Sequence, residues 1–115
     1  MSTENKATLL TGNAAIADGN HERFLSLCTD DTVWTFVGEQ VLQGKAAVRQ
    51  YMAATYLEPP QVTVDHLIAD GDFLTAVGEI TIKDKAGRRS HYTYCDVWRF
   101  SGGKMAELKA FVVKT

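Results

Sequence analysis

Residues 88–114 read RRSHYTYCDVWRFSGGKMAELKAFVVK, two strand-forming runs separated by Ser101-Gly102-Gly103. Aromatic and β-branched residues fill the first run, from Tyr92 to Phe100, and apolar residues resume at Met105. The glycine pair supplies the backbone freedom of a tight turn, so the stretch is a β-hairpin. Working backwards, Asp84-Lys85-Ala86-Gly87 and Asp70-Gly71-Asp72 are turn clusters that bound two further runs, Phe73 to Lys83 and Val62 to Ala69. Three hairpins in succession predict an antiparallel meander.

The N-terminal half has a different period. In residues 5–17, Leu9, Asn13 and Ile16 lie beside Leu10, Ala14 and Ala17 at helical spacing, which predicts an amphipathic helix. Asp18-Gly19-Asn20 breaks it, and Asn20 can cap a short second helix through Cys28 with Phe24, Leu25 and Leu27 on its apolar side. Asp30-Asp31-Thr32 ends that helix. Val33 to Val37 reads as a strand followed by a short loop. Gly44 opens a third helix carrying Val48, Tyr51, Met52 and Thr55, and Pro59-Pro60 closes the helical half. Helices gathered ahead of a continuous antiparallel run predict the α+β class, with three helices on one face of a curved antiparallel sheet. The whole chain, 1–115, reads as one domain.

At 45% hydrophobic and 23% charged, the composition is that of a globular domain, and folding buries about two-thirds of the extended chain's surface. The formal charge is −2 and the Lys and Arg residues are scattered, which argues against a nucleic-acid partner. No apolar run approaches the roughly 20 residues of a membrane span, and the start MSTENKATLL lacks the pattern of a secretory leader. A cytoplasmic location without membrane association is expected. Cys28 and Cys95 are far apart with no CxxC spacing, and His21, His66 and His91 are dispersed. The cysteines read as buried thiols, and neither a metal nor a cofactor is implied.

Asp96 is out of character in its strand. Side chains alternate across a sheet, so Tyr92, Tyr94, Asp96, Trp98 and Phe100 share one face, and His91, Thr93, Cys95, Val97 and Arg99 share the other. A carboxylate in a dry interior costs on the order of several kcal/mol unless paired, and no basic residue shares its face. Desolvation should therefore raise its pKa and leave it largely protonated near neutral pH, hydrogen-bonded to a tyrosine or a ligand. A four-residue turn at 84–87 would place Glu79 opposite Tyr92, making Glu79 a second candidate acid. The plainer reading puts Glu79 at the solvent rim and leaves Tyr92, Tyr94 and Trp98 as core filler. His66 shares parity with Val62, Val64 and Ile68 and is a reserve candidate base, although a satisfied interior histidine is the commoner outcome. His91 points away from Asp96. Trp34 and Phe36 alternate along their strand, and Tyr51 and Met52 lie together on the third helix.

The order of two helices, DDTVWTFVG (30–38), GKAAVRQYM (44–52) and hairpins ending YCDVWRFSGGKMAELKAFV (94–112) resembles the ketosteroid-isomerase-like, SnoaL-like branch of the nuclear transport factor 2 superfamily. The resemblance covers nearly the whole chain. It implies a cone-shaped α+β fold with a deep apolar pocket, and a homodimer joined through the outer sheet face, here the face of Thr93, Cys95 and Val97. Asp96 falls where ketosteroid isomerases place the aspartic acid that donates to the developing oxyanion. The isomerase base aligns near Thr35 and the oxyanion-hole tyrosine near Gly12; neither residue can serve, so ketosteroid isomerase activity is not expected. Many SnoaL-like members also end the last strand with an aspartate, where this chain has Phe111-Val112-Val113. Two functions follow. One is a cofactor-free isomerase, cyclase, dehydratase or hydrolase of a small hydrophobic molecule, with Asp96 as acid or base and Trp34, Phe36, Tyr51, Glu79, Tyr94 and Trp98 around the ligand. The other is a ligand-carrying or protein-association module without chemistry.

Overall fold

The computed structural model describes residues 2–115. Helix α1 (Ser2–Ala17) buries a single stripe, Asn5, Leu9, Gly12 and Ile16 with Ala15 beside it. Leu10, Ala14 and Ala17 face solvent, so only one of the two apolar flanks expected of this helix is used. The short helix α2 (His21–Ser26) starts where the Asn20 carboxamide oxygen accepts from the Arg23 N–H at 3.1 Å, and it buries Phe24 and Leu25. It ends before Cys28, which instead begins strand β1 (Cys28–Phe36). Strand β2 (Gln40–Gln43) was not anticipated: QVLQ is four residues long with polar ends, and only its pairing with β1 makes it a strand. Gly44, at φ 90°, then turns the chain into α3 (Lys45–Thr55), which buries Val48 and Met52. Among the described residues, no helix is long and apolar enough to cross a membrane.

The meander consists of β3 (Gln61–Asp70), β4 (Phe73–Lys83), β5 (Arg89–Ser101) and β6 (Lys104–Lys114). The sheet order is β2-β1-β6-β5-β4-β3. The α+β class with three helices stands, but the sheet is not wholly antiparallel: β1 and β6 run parallel, with Trp34 opposite Leu108 and Phe36 opposite Ala110. The long excursion through β2, α3 and three strands returns the chain beside β1 in the same direction, as parallel neighbours require. The Thr32 hydroxyl donates to the Met105 carbonyl at 3.2 Å and the Met105 N–H to the Leu27 carbonyl at 2.9 Å, tying the two strands at their start.

Register breaks bend the sheet in β1, in β3 between Val64 and His66, and where β5 meets β6 at Phe100. Such bulges increase local twist and curl a sheet around what packs on it. The concave face receives the helices, and the core gathers there around Leu9, Phe24, Leu25, Met52, Leu74, Trp98 and Met105. The convex face is uncovered, with Ile68, Phe73, Phe111 and Val113 exposed.

Two side-chain assignments change with the register. The turn between β4 and β5 has five residues: Lys83 pairs with Arg89, and the Asp84 N–H donates to the Arg88 carbonyl at 2.9 Å. Glu79 therefore lies opposite Thr93 rather than Tyr92 and is exposed on the convex face, outside any cavity. One added turn residue shifts every pair by one and exchanges the faces. In β3, the bulge at Asp65 has the same effect on His66, which pairs with Val77 and sits exposed on the convex side with Ile68 rather than pointing inward with Val62.

Candidate functional site

Three neighbouring rows of residues on the concave face explain why a cavity exists. One row runs Trp34, Leu108, Trp98, Leu74 and is filled by large side chains. The next runs Phe36, Ala110, Asp96, Ala76, placing the aspartate between two alanines. Beyond it come Val112, Tyr94 and Gly78. Small residues beside Asp96 leave a gap in the sheet's packing layer, and the helices bridge it rather than fill it. A cavity of about 270 Å³ results, lined by Trp34, Phe36, Tyr51, Tyr94, Asp96 and Trp98 among others. The walls interlock: Trp34 and Trp98 meet edge to face with centroids 5.8 Å apart, and Phe36 and Tyr51 lie 4.9 Å apart.

Asp96 stands alone in this space. Among the described residues its carboxyl has no hydrogen-bond or ion-pair partner, and burial alone pushes its pKa up to about 7. The residue is half-buried and lines the cavity. The neighbouring tyrosine on its strand face does not hold it, because the Tyr94 hydroxyl reaches across β4 to donate to the Thr63 carbonyl at 2.7 Å. That reach needs Gly78 beneath it: a Cβ there would stand 1.9 Å from the Thr63 carbonyl oxygen and 2.8 Å from the Tyr94 hydroxyl. Burial pushes the Tyr94 phenol up to about 12, with the Asp96 charge adding to the effect. Tyr51 and Tyr56 are also held above the ordinary phenol range, first by burial and then in part by Asp96. All three phenols stay neutral donors at physiological pH.

Among the lining residues not singled out for the site are several that carry polar groups. Asn13 comes from α1, Tyr92 from the Asp96 face of β5, Tyr56 caps the end of α3, and Glu39 lies exposed at the rim in the turn joining β1 to β2. Tyr92 had the right parity to be found. Tyr56 and Glu39 sit in aperiodic segments and reach the cavity only because the chain turns there. Trp34 and Trp98 bury their indole N–H groups without a partner, a feature invisible to strand periodicity.

The positions corresponding to the isomerase's other catalytic groups are closed here. Thr35 alternates with the lining residues Trp34 and Phe36 and so faces away from the cavity. At Gly12, a Cβ would already meet the Phe24 ring at 3.0 Å, so Phe24 occupies the space a tyrosine would need.

A SnoaL-like domain profile matches residues 12–108. The chain belongs to the SnoaL-like domain family. Solved structures agree on the architecture of this SnoaL-like protein. The epoxide hydrolase/cyclase-like enzyme SalBIII, described in pyran ring formation in the polyether salinomycin, superposes with a TM-score of 0.88 at 20% identity over 96% of this chain and 91% of its own. TerC, co-crystallised with polyporic acid, gives 0.80 at 17% identity over 94% and 90%. A nuclear transport factor 2-like protein of unknown function from Cytophaga hutchinsonii gives 0.77 at 21% over 98% and 99%. At these identities the likeness establishes the nuclear transport factor 2-like α+β fold and nothing finer. No functionally curated protein matches the chain in sequence.

Proposed function

We propose that the cavity receives a small hydrophobic molecule and that Asp96 exchanges a proton with it, making the protein a cofactor-free isomerase, cyclase, dehydratase or hydrolase. The observation that carries this reading is a single unpartnered carboxyl on the floor of an aromatic cavity, with a pKa pushed to about 7. An acid–base group works best when its pKa lies near the operating pH. Cavities of this kind need few polar groups to orient a ligand, and Tyr51, Tyr92 and Asn13 are available here. SalBIII and TerC show the same fold associated with ring formation and with a bound acid, and they lend the reading support at the level of fold only.

A second reading, ligand carriage or protein association without turnover, is favoured by the closed positions at Thr35 and Gly12. The same apolar exposure on the convex face, from Phe73 to Val113, supports a homodimer joined there. The deciding experiment adds flat polycyclic ketones and phenols to wild type and Asp96→Asn while following tryptophan fluorescence, melting temperature and product formation. Quenching and stabilisation in both proteins, with turnover only in wild type, supports an enzyme. Binding without turnover in either supports the carrier. Absence of quenching and stabilisation by every compound would overturn the cavity as a ligand site.

A further inference from the structure

The charges around the cavity narrow what it can hold. Its lining includes two carboxyl residues, Asp96 on the floor and Glu39 at the rim, and no lysine, arginine or histidine. Outside the lining, Lys45 pairs with Asp30, Arg49 with Glu22, Lys83 with Glu58 and Arg99 with Glu107. An anionic ligand would therefore enter a poorly solvated space against like charge with no counter-ion. A neutral ligand is accommodated only while Asp96 keeps its proton. A cation supplies the partner that Asp96 lacks. Tyr94 and Trp98 stand on either side of the carboxyl along β5, and Tyr51 and Tyr56 line the opposite wall from the end of α3. Aromatic rings attract ammonium groups through their quadrupoles, most strongly where water is excluded.

We propose that the cavity binds a hydrophobic amine, its ammonium group paired with the Asp96 carboxylate inside the aromatic cage and its hydrocarbon part against the apolar wall. The inference rests on the cavity being the ligand site, and on no particular chemistry.

The titratable groups sharing the cavity with Asp96 are Tyr92 and Tyr94 from β5, Tyr51 from α3, Tyr56 from its C-terminal cap and Glu39 from the β1–β2 turn. Strands β4 and β6 present only Ala76 and Ala110 beside it, and α1 presents Asn13. Asp96 is thus the group that changes charge near neutrality inside the cavity, where its pKa is about 7. Amine affinity rises as pH climbs through that value, because the carboxylate form is the one that pairs. An alcohol that accepts from the protonated acid behaves in the opposite way.

The test is calorimetric titration of wild type and Asp96→Asn with naphthylmethylamine, naphthalenemethanol and naphthoate, near pH 6 and near pH 8, values that bracket the acid by roughly one unit each. In wild type near pH 8 the amine should bind roughly tenfold more tightly than the alcohol, the advantage should shrink near pH 6, and naphthoate should not bind. Asp96→Asn should bind the alcohol and lose the preference for the amine. Alcohol binding without any amine advantage, naphthoate binding as tightly as the amine, or an amine advantage that survives in Asp96→Asn would each overturn the proposal while leaving the cavity a ligand site. Failure of all three compounds would overturn both.

Discussion

Asp96 carries the residue-scale consequences. Its carboxyl titrates near 7 in the folded chain, against an ordinary value of 3.8, because burial disfavours the charged form. The folded state therefore holds a proton that the unfolded state releases between those values. The resulting stability is fully present below pH 3.8 and is lost as pH rises to about 7, beyond which the fold carries the cost of an unpaired carboxylate. Asp96→Asn keeps shape and hydrogen-bonding capacity without the charge. It should match or slightly trail wild type in urea denaturation below pH 3.8, move ahead of it as pH rises through that value, and exceed it by on the order of a few kcal/mol near pH 8. A carbon NMR titration of the Asp96 carboxyl should show a midpoint near 7; a midpoint at or below the ordinary value would mean the carboxyl is solvated or ion-paired in solution.

At the scale of elements, a cross-strand contact ties β5 to β3 beside the cavity. Tyr94 passes over Gly78 to bond the Thr63 carbonyl close to the β3 bulge, so three strands are tied together there. Gly78→Ala places a methyl 1.9 Å from a backbone oxygen that cannot rotate away, and it should destabilise the fold by more than about 3 kcal/mol. Tyr94→Phe removes only the hydroxyl and should cost about 1–2 kcal/mol, the size of one lost hydrogen bond to a partly buried carbonyl. Chemical denaturation of the two variants should preserve that ranking. No loss in Tyr94→Phe would show that the contact acts through ring packing and not through the bond.

The whole molecule leaves one large surface unexplained by its own core. Ile68, Phe73, Phe111 and Val113 are 62%, 49%, 43% and 64% exposed on the convex face, and Cys95 is half-buried among them. A small domain rarely leaves so much apolar side chain on one continuous face to water. The proposed homodimer would cover it. Sedimentation of wild type at tens of micromolar should show a dimer, and Phe111→Asp together with Val113→Asp should give a folded monomer with an unchanged cavity. A wild-type monomer at that concentration would exclude pairing through this face.

Local alternation and turn chemistry were enough to identify the meander, the three helices and the face of β5 that carries Tyr94, Asp96 and Trp98, because each depends only on neighbours along the chain. The desolvation of Asp96 was legible for the same reason: aromatic residues flank it at two-residue spacing and no base shares its face. Glu79 and His66 were misplaced because their orientation depends on a count made elsewhere, one extra residue in the turn after Lys83 and one at the Asp65 bulge. Strand β2 and the parallel pairing of β1 with β6 depend on contacts between distant segments, which a local period cannot encode. The engagement of Tyr94 with Thr63 and the arrival of Glu39 and Tyr56 at the cavity belong to the same class. The identity of the elements is a property of short stretches of chain, whereas the chemistry inside the cavity follows from register, which only the assembled sheet settles.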